Sequence, residues 1–178
     1  MQRIAIVGSA GTGKSTLARR LGELTGLSVI HLDALHWHPG WVATPDEEWD
    51  AIVTEAASRE SWIIDGNYTR TMGPRLERAD TVLFLDFPRV VCLWRVFKRW
   101  LRYRGASRPD LAPGCPEYLS WKFVLWIWNF PKRSRPRVVQ SIEDHSADTE
   151  VTVLRSQKGI DRFLAQVAAQ DDGSTGSP

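Results

Sequence analysis

Eight consecutive residues near the start of the chain, Gly8-Ser-Ala-Gly-Thr-Gly-Lys-Ser15, fit the pattern G-x-x-x-x-G-K-[ST] without a gap. Glycines let such a loop turn its successive N–H groups inward, toward phosphate oxygens. The helix expected from Lys14 adds the positive end of its dipole. On this reading Gly8, Ser9, Ala10, Gly11, Thr12, Gly13, Lys14, Ser15 and Thr16 cradle a triphosphate. Lys14 places a point charge on the outer phosphates, and the Ser15 hydroxyl is a ligand for Mg²⁺.

Phosphoryl transfer also needs a carboxylate for the metal. Trp62-Ile-Ile-Asp65-Gly66 puts Asp65 at the end of an apolar strand, so Ser15 and Asp65 are the expected Mg²⁺ ligands. Gly66 and Asn67 also suit a plain turn, for which Asp65 would be only the opening residue. Asp86, just before Pro88, is the rival carboxylate, and it reads as the N-cap of the next helix. Asp33 closes a second strand in His31-Leu-Asp33. That position suits a group that accepts the proton of an acceptor hydroxyl, so Asp33 is assigned to acceptor binding and catalysis. His31, His36 and His38 are close in sequence, but only His36 and His38 share a strand-like side. No further ligand is near, and a metal site there is not argued.

The helix expected over Pro88–Arg104 carries Arg95, Lys98, Arg99 and Arg102 on one stripe, with Leu93, Trp94, Phe97, Trp100 and Leu101 opposite. The apolar side is expected to be core. The like charges repel by a few tenths of a kcal/mol per i,i+4 pair, a strain that a bound anion such as ATP would relieve. Arg95 and Arg99 are therefore assigned to the moving phosphoryl, against the alternative of a solvated face. Lys132, Arg133, Arg135 and Arg137 form a second cationic cluster, stiffened by Pro131 and Pro136. It suits either a lid or a nucleic-acid contact. Trp121, Trp126 and Trp128 suit core or a dimer interface better than a base-stacking platform.

The elements that must hold these groups alternate between strand and helix. Strands are predicted at Arg3–Val7, Ser28–Leu32, Ser61–Asp65, Thr81–Leu85 and Val151–Leu154, and helices from Lys14, Pro45, Pro88, Ser120 and Ile160. Thr44-Pro-Asp-Glu47 reads as a capping box. The pattern predicts an α/β P-loop fold, a doubly wound five-stranded parallel sheet with a helical lid insertion at about 103–137. Ligands then belong at the carboxyl ends of the strands.

With 178 residues, 43% of them apolar and 25% charged, the chain fits one soluble domain over 1–170. Residues 171–178, rich in Gly, Ser and Asp, are expected to be a disordered tail. The net charge of +2 is unevenly spread: residues 89–137 hold twelve Lys/Arg and two Asp/Glu, and five of the nine tryptophans. An anionic ligand is expected there. Two cysteines without a CxxC pair fit a reducing, cytoplasmic setting. The most apolar window, Leu119–Phe130, contains Lys122 and falls short of the ~20 residues that span a bilayer.

Gly8–Ser15, Asp65-Gly-Asn-Tyr-Thr-Arg70 and Arg95-x-x-x-Arg99 resemble adenylate kinase and its relatives. That resemblance implies a Mg²⁺ role for Asp65, an acceptor-binding role for Arg70 and an ATP-embracing role for Arg95 and Arg99. The chain departs from adenylate kinase where that enzyme has a proline before its acceptor arginine, since Asn67-Tyr-Thr intervenes here. A nearer resemblance is to the adenylate-kinase-related DNA topology modulation proteins (FlaR-type). It runs through His31-Leu-Asp33, Trp41, Asp65-Gly-Asn-Tyr68, Leu85-Asp86, Arg95 and Gly114-Cys-Pro-Glu117. The expectation is transfer of the γ-phosphoryl of Mg·ATP to a small nucleotide- or metabolite-like acceptor. The rival expectation is a nucleic-acid-binding regulatory ATPase gripping DNA or RNA with the basic middle segment, and a weaker third is an interfacial membrane protein using the Trp/Arg segment.

Overall fold

A computed structural model describes residues 1–106, 108, 110–146 and 149–174. The chain order is β1 (Arg3–Gly8), α1 (Lys14–Thr25), β2 (Val29–His31), α2 (Leu32–His36), β3 (Trp37–His38), β4 (Val42–Ala43), α3 (Asp46–Ser58) and β5 (Trp62–Asp65). It continues with α4 (Met72–Arg78), β6 (Thr81–Leu85), α5 (Arg89–Tyr103), α6 (Trp121–Arg133), α7 (Arg135–His145), β7 (Glu150–Leu154) and α8 (Gln157–Ser174). A single 3₁₀ turn at Thr69–Thr71 precedes α4. α8 runs past the tail boundary expected at 170, and residues 175–178 of that tail lie outside the described residues.

Five strands form one parallel sheet in the order β2-β5-β1-β6-β7, and β3 and β4 make a small antiparallel hairpin. β1 is central and apolar from Ile4 to Val7, so its alternating side chains feed two cores. Ala5 and Val7 join Ile64, Val82 and Phe84 beneath α3, α4 and α7. Ile4 and Ile6 join Ile63, Leu83 and Leu85 beneath α1, α5 and α8. Burial on both faces is why these strands read as unbroken apolar runs.

Local departures from the sequence reading have physical reasons. Thr44 does not cap α3. The residue before Asp46 is Pro45, which makes no side-chain cap, and the Thr44 hydroxyl points instead at the carbonyls of Leu35 and His36 (3.1 and 3.0 Å). That bond ties the base of the β3–β4 hairpin to the end of α2. On α5 the side packed inward is the one bearing Cys92 and Val96, while Trp94 and Leu101 are 58% and 54% exposed. Cys92 and Val96 join the core with Leu17 and Leu85, and Gly11 packs closely against the same side: a Cβ there would sit 2.4 Å from the Cys92 carbonyl oxygen.

The expected lid is two different things. α6 is seated in the body, with Ile127 in one core and Phe130 in the other. α7 contributes Val138 and Ile142. The described residues between α5 and α6 include no helix, and this segment docks on the β3–β4 hairpin: Gly40 N–H donates to the Gly114 carbonyl (2.9 Å) and the Cys115 thiol to that of His38 (3.2 Å). Ile127→Ala should therefore lower the unfolding free energy by about 2–4 kcal/mol, as for a buried aliphatic truncation. Urea denaturation reads this directly, and a loss under about 0.5 kcal/mol would mean that α6 is not seated in the core.

Candidate functional site

The register of the sheet assembles the site. β2 pairs with β5 so that His31 lies beside Asp65, and β1 pairs with β6 so that Gly8 lies beside Leu85. All four residues are at carboxyl ends of parallel strands, where the loop Gly8–Gly13 then passes into α1. Gly8 has φ +144°, and a Cβ on it would lie 2.4 Å from the Leu85 carbonyl oxygen, a backbone atom that cannot yield. Gly11 and Gly13 also have positive φ, which turns the loop around its own centre.

The Lys14 ammonium lies across this loop and donates to the carbonyls of Gly8 and Ser9, each at 3.0 Å. Burial pulls the Lys14 pKa below its ordinary value, and Asp33 and Asp65 act against that pull. A triphosphate in the loop would supply the missing negative charge. The Ser15 hydroxyl donates to Asp65 Oδ2 (2.8 Å), while Asp65 Oδ1 lies 2.5 Å from His31 Nδ1. Burial alone would lower the His31 pKa, but the hydrogen bond and charge of Asp65 more than reverse it, and the net shift is upward. Ser15 and Asp65 present two adjacent oxygens, a donor set suited to a hard divalent ion. Among the described residues no three His, Cys, Asp or Glu side chains cluster as a metal site.

The loop after β5 is tied to the cradle. Asn67 Oδ1 accepts from Gly8 N–H (2.8 Å). Arg75, on α4, is fully buried and donates to the carbonyls of Gly66 (2.9 Å), Thr71 (3.2 Å) and Asn67. Burial depresses its pKa to about 10. A buried guanidinium held by carbonyls alone fixes the loop without cancelling the charge of Asp65. Neither role was read from the sequence. Asn67 stood inside a turn signal, and the only cue for Arg75 was a cation within the apolar stretch Met72–Leu76.

Of the stripe on α5, Arg95, Lys98, Arg99 and Arg102 all line one cleft of about 1170 Å³ with the cradle. Arg95 donates to the Thr12 carbonyl and to Gln157 (3.0 Å each) and lies over the Phe87 ring. Arg99 is held by Glu117 at 2.8 Å, and Arg108 meets the other oxygen of Glu117 at 2.7 Å. Glu117 had been noted only as part of a motif, yet it orients two guanidinium groups. Burial, with Arg108 beside it, lowers the Arg99 pKa.

Asp33 lines the same cleft, inside α2 rather than at a strand end, and accepts from the Tyr68 hydroxyl (2.8 Å). Arg70 does not join it. Arg70 is exposed, paired with Asp46 and with Asp50 (2.7 Å), and lies outside the cleft lining. Its short 3₁₀ turn faces α3, whose acidic first turns capture it. Asp86 does not cap α5 either, as it is gripped by Arg135 through two bonds of 3.0 and 2.9 Å. That bond takes Arg135 out of the second cationic cluster. Asn67→Ala should raise the KM for ATP about tenfold, because the first N–H of the cradle loses its partner. The unfolding midpoint should hold within a few degrees, and an unchanged KM would show that this tie does not shape the cradle.

No protein-family model and no curated protein matches the chain. Solved structures match at low identity over nearly the whole length. A shikimate kinase from Acinetobacter baumannii is 18% identical with TM-score 0.59, over 100% of this chain and 96% of that one. A gluconokinase from Sinorhizobium meliloti is 18% identical with TM-score 0.53, over 98% and 95%. A shikimate kinase from Bacteroides thetaiotaomicron is 16% identical with TM-score 0.56, over 96% and 98%. At such identities the likeness is one of architecture: the chain has the α/β fold seen in these kinases.

Proposed function

We propose that the chain is a phosphotransferase that moves the γ-phosphoryl of Mg·ATP to a hydroxyl of a small acceptor. The observation that carries this reading is one cleft lined by Lys14 and Ser15, by Arg95 and Arg99, and by Asp33. In this proposal the cradle holds the phosphates, with Lys14 on the outer ones. Ser15 and Asp65 would hold Mg²⁺, which when bound neutralises charge on the phosphate oxygens. Arg95 and Arg99 stabilise charge on the moving group, and Asp33 takes the acceptor proton. The segment between α5 and α6 is the lid, and Glu117 in it delivers Arg99 and Arg108. Excluding water with that segment limits wasteful hydrolysis.

Transfer to a small metabolite accords with the fold of the shikimate kinases and the gluconokinase. The resemblance to DNA topology modulation proteins remains one of motifs. The cations of α5 face a cleft, which favours a compact anion over a nucleic-acid backbone lying on an open surface. Among the described residues no helix is long and apolar enough to cross a membrane. The buried thiols of Cys92 and Cys115 accord with a cytoplasmic setting.

Lys14→Ala should cut ATP turnover at least about 100-fold, or ~2.7 kcal/mol of barrier, with an unchanged circular dichroism spectrum. Turnover within about tenfold of the parent would sink the assignment. Asp65→Asn should damage Mg²⁺-dependent turnover far more than Asp86→Asn, which instead should cost stability by freeing Arg135. The reverse order in a steady-state assay would move the metal carboxylate to β6.

A further inference from the structure

The acceptor end of the cleft has a composition that narrows what it can take. Trp37, Trp41, Tyr68 and Tyr118 line it beside Asp33. Trp37 and Trp41 meet edge to face with ring centroids 5.5 Å apart, and Trp41 meets Tyr118 in the same way at 5.7 Å. Trp41 is fixed at both ends. Its indole N–H donates to the Pro116 carbonyl (3.1 Å), and its backbone N–H to that of His38 (3.0 Å). Trp41 and Tyr68 are also the two non-glycine residues with positive φ (64° and 38°) among the described residues. Side chains rarely adopt that backbone, and such residues gather at ligand sites. Here both strained residues put an aromatic ring on one wall.

The charges at this end point the same way. Arg108 is paired with Asp110 (3.0 Å) and with Glu117, and Arg99 with Glu117. Arg70 is turned outward to Asp46 and Asp50. Asp33 adds negative charge. A phosphate or carboxylate on the acceptor would therefore meet Arg99 and Arg108 already matched by carboxylates and would be repelled by Asp33 and Asp110, while Lys98 and Arg102 belong to the α5 stripe that also carries Arg95. Arg19, an exposed cation of α1, also lines the cleft and gives an anionic acceptor its best alternative anchor.

We propose, resting on the phosphotransferase reading above, that the acceptor is an uncharged ring compound bearing hydroxyls, either a ribonucleoside or a neutral pyranose, whose flat face lies on the Trp41 ring with the Trp37 ring set edge to face beside it. Aromatic side chains accept the apolar face of a base or sugar ring and leave its hydroxyls to polar groups. One hydroxyl lies at Asp33. Its oxygen bonds to the γ-phosphorus as the bond from that phosphorus to the bridging β–γ oxygen breaks. The hydroxyl proton passes to the Asp33 carboxylate and then to solvent, and ADP leaves.

The test is a transfer assay on the full chain with Mg·ATP, with product detected by ³¹P NMR. One arm holds the four common ribonucleosides, a second holds neutral pyranoses, and a third holds their monophosphates together with gluconate and shikimate. We expect a neutral compound to exceed its charged counterparts at least about tenfold in kcat/KM, with the first two arms deciding between base and sugar. Trp41→Ala should raise the acceptor KM about tenfold and affect the KM for ATP much less, Trp41→Phe should recover most of the loss, and Arg19→Ala should leave the acceptor KM within about twofold. A charged compound as the best acceptor, with Arg19→Ala raising its KM, overturns this inference and leaves the phosphotransferase reading standing. Binding of a non-hydrolysable ATP analogue without transfer to any neutral compound also overturns it. Failure of that analogue to bind at all would instead remove the reading on which the inference rests.

Discussion

A single buried carboxylate organises this molecule. Asp65 gives one oxygen to the Ser15 hydroxyl and the other to the His31 ring. It thereby joins the first turn of α1 to the ends of β5 and β2. Each partner comes from a different element, and each is placed by strand register or by the turn of the glycine loop. Burying a carboxylate is unfavourable unless it is hydrogen-bonded and faced by positive charge. Lys14 and Arg75 face it with positive charge, and His31 adds a hydrogen bond. The strand order that makes β1 neighbour to β5 is therefore also the order that makes the cradle polar at one point and apolar elsewhere.

Buried charge in this chain falls into two kinds with different consequences. Arg75 is satisfied by backbone carbonyls and serves as a staple for the loop after β5. Arg99 and Arg108 are satisfied by Glu117, a carboxylate carried on the segment that lies over the cleft. The first kind is fixed by the fold. The second joins Arg99 of α5 to a carboxylate on the neighbouring segment, so the positive character of the cleft depends on where Glu117 sits.

Much of this was legible from residues alone. Thr81–Leu85 is a strand with the bounds that its apolar run predicts, and Lys14 opens α1 as the glycine pattern requires. Doubly covered parallel strands leave an unbroken apolar signal, and the phosphate loop has its own spacing. Both are local properties. What escaped was decided by tertiary neighbours. Thr44 and Asp86 had good capping chemistry, but the last carbonyls of α2 and Arg135 offered stronger partners. Arg70 was claimed by α3, an element whose position no spacing could reveal. The wheel of α5 gave the cationic stripe its direction toward the cleft. It could not tell which apolar residues would be core, because packing with Leu17, Leu85 and Gly11 falls on the side bearing Cys92 and Val96.

α6 has a consequence of another kind. Ile127 belongs to the core on one side of the sheet and Phe130 to the core on the other. Two layers separated by a sheet can in principle melt at different temperatures, as loosely coupled units do. A helix rooted in both removes that freedom, since loosening either layer withdraws a side chain from a shared rod. Heat denaturation of the domain then becomes one cooperative transition, with calorimetric and van't Hoff enthalpies equal.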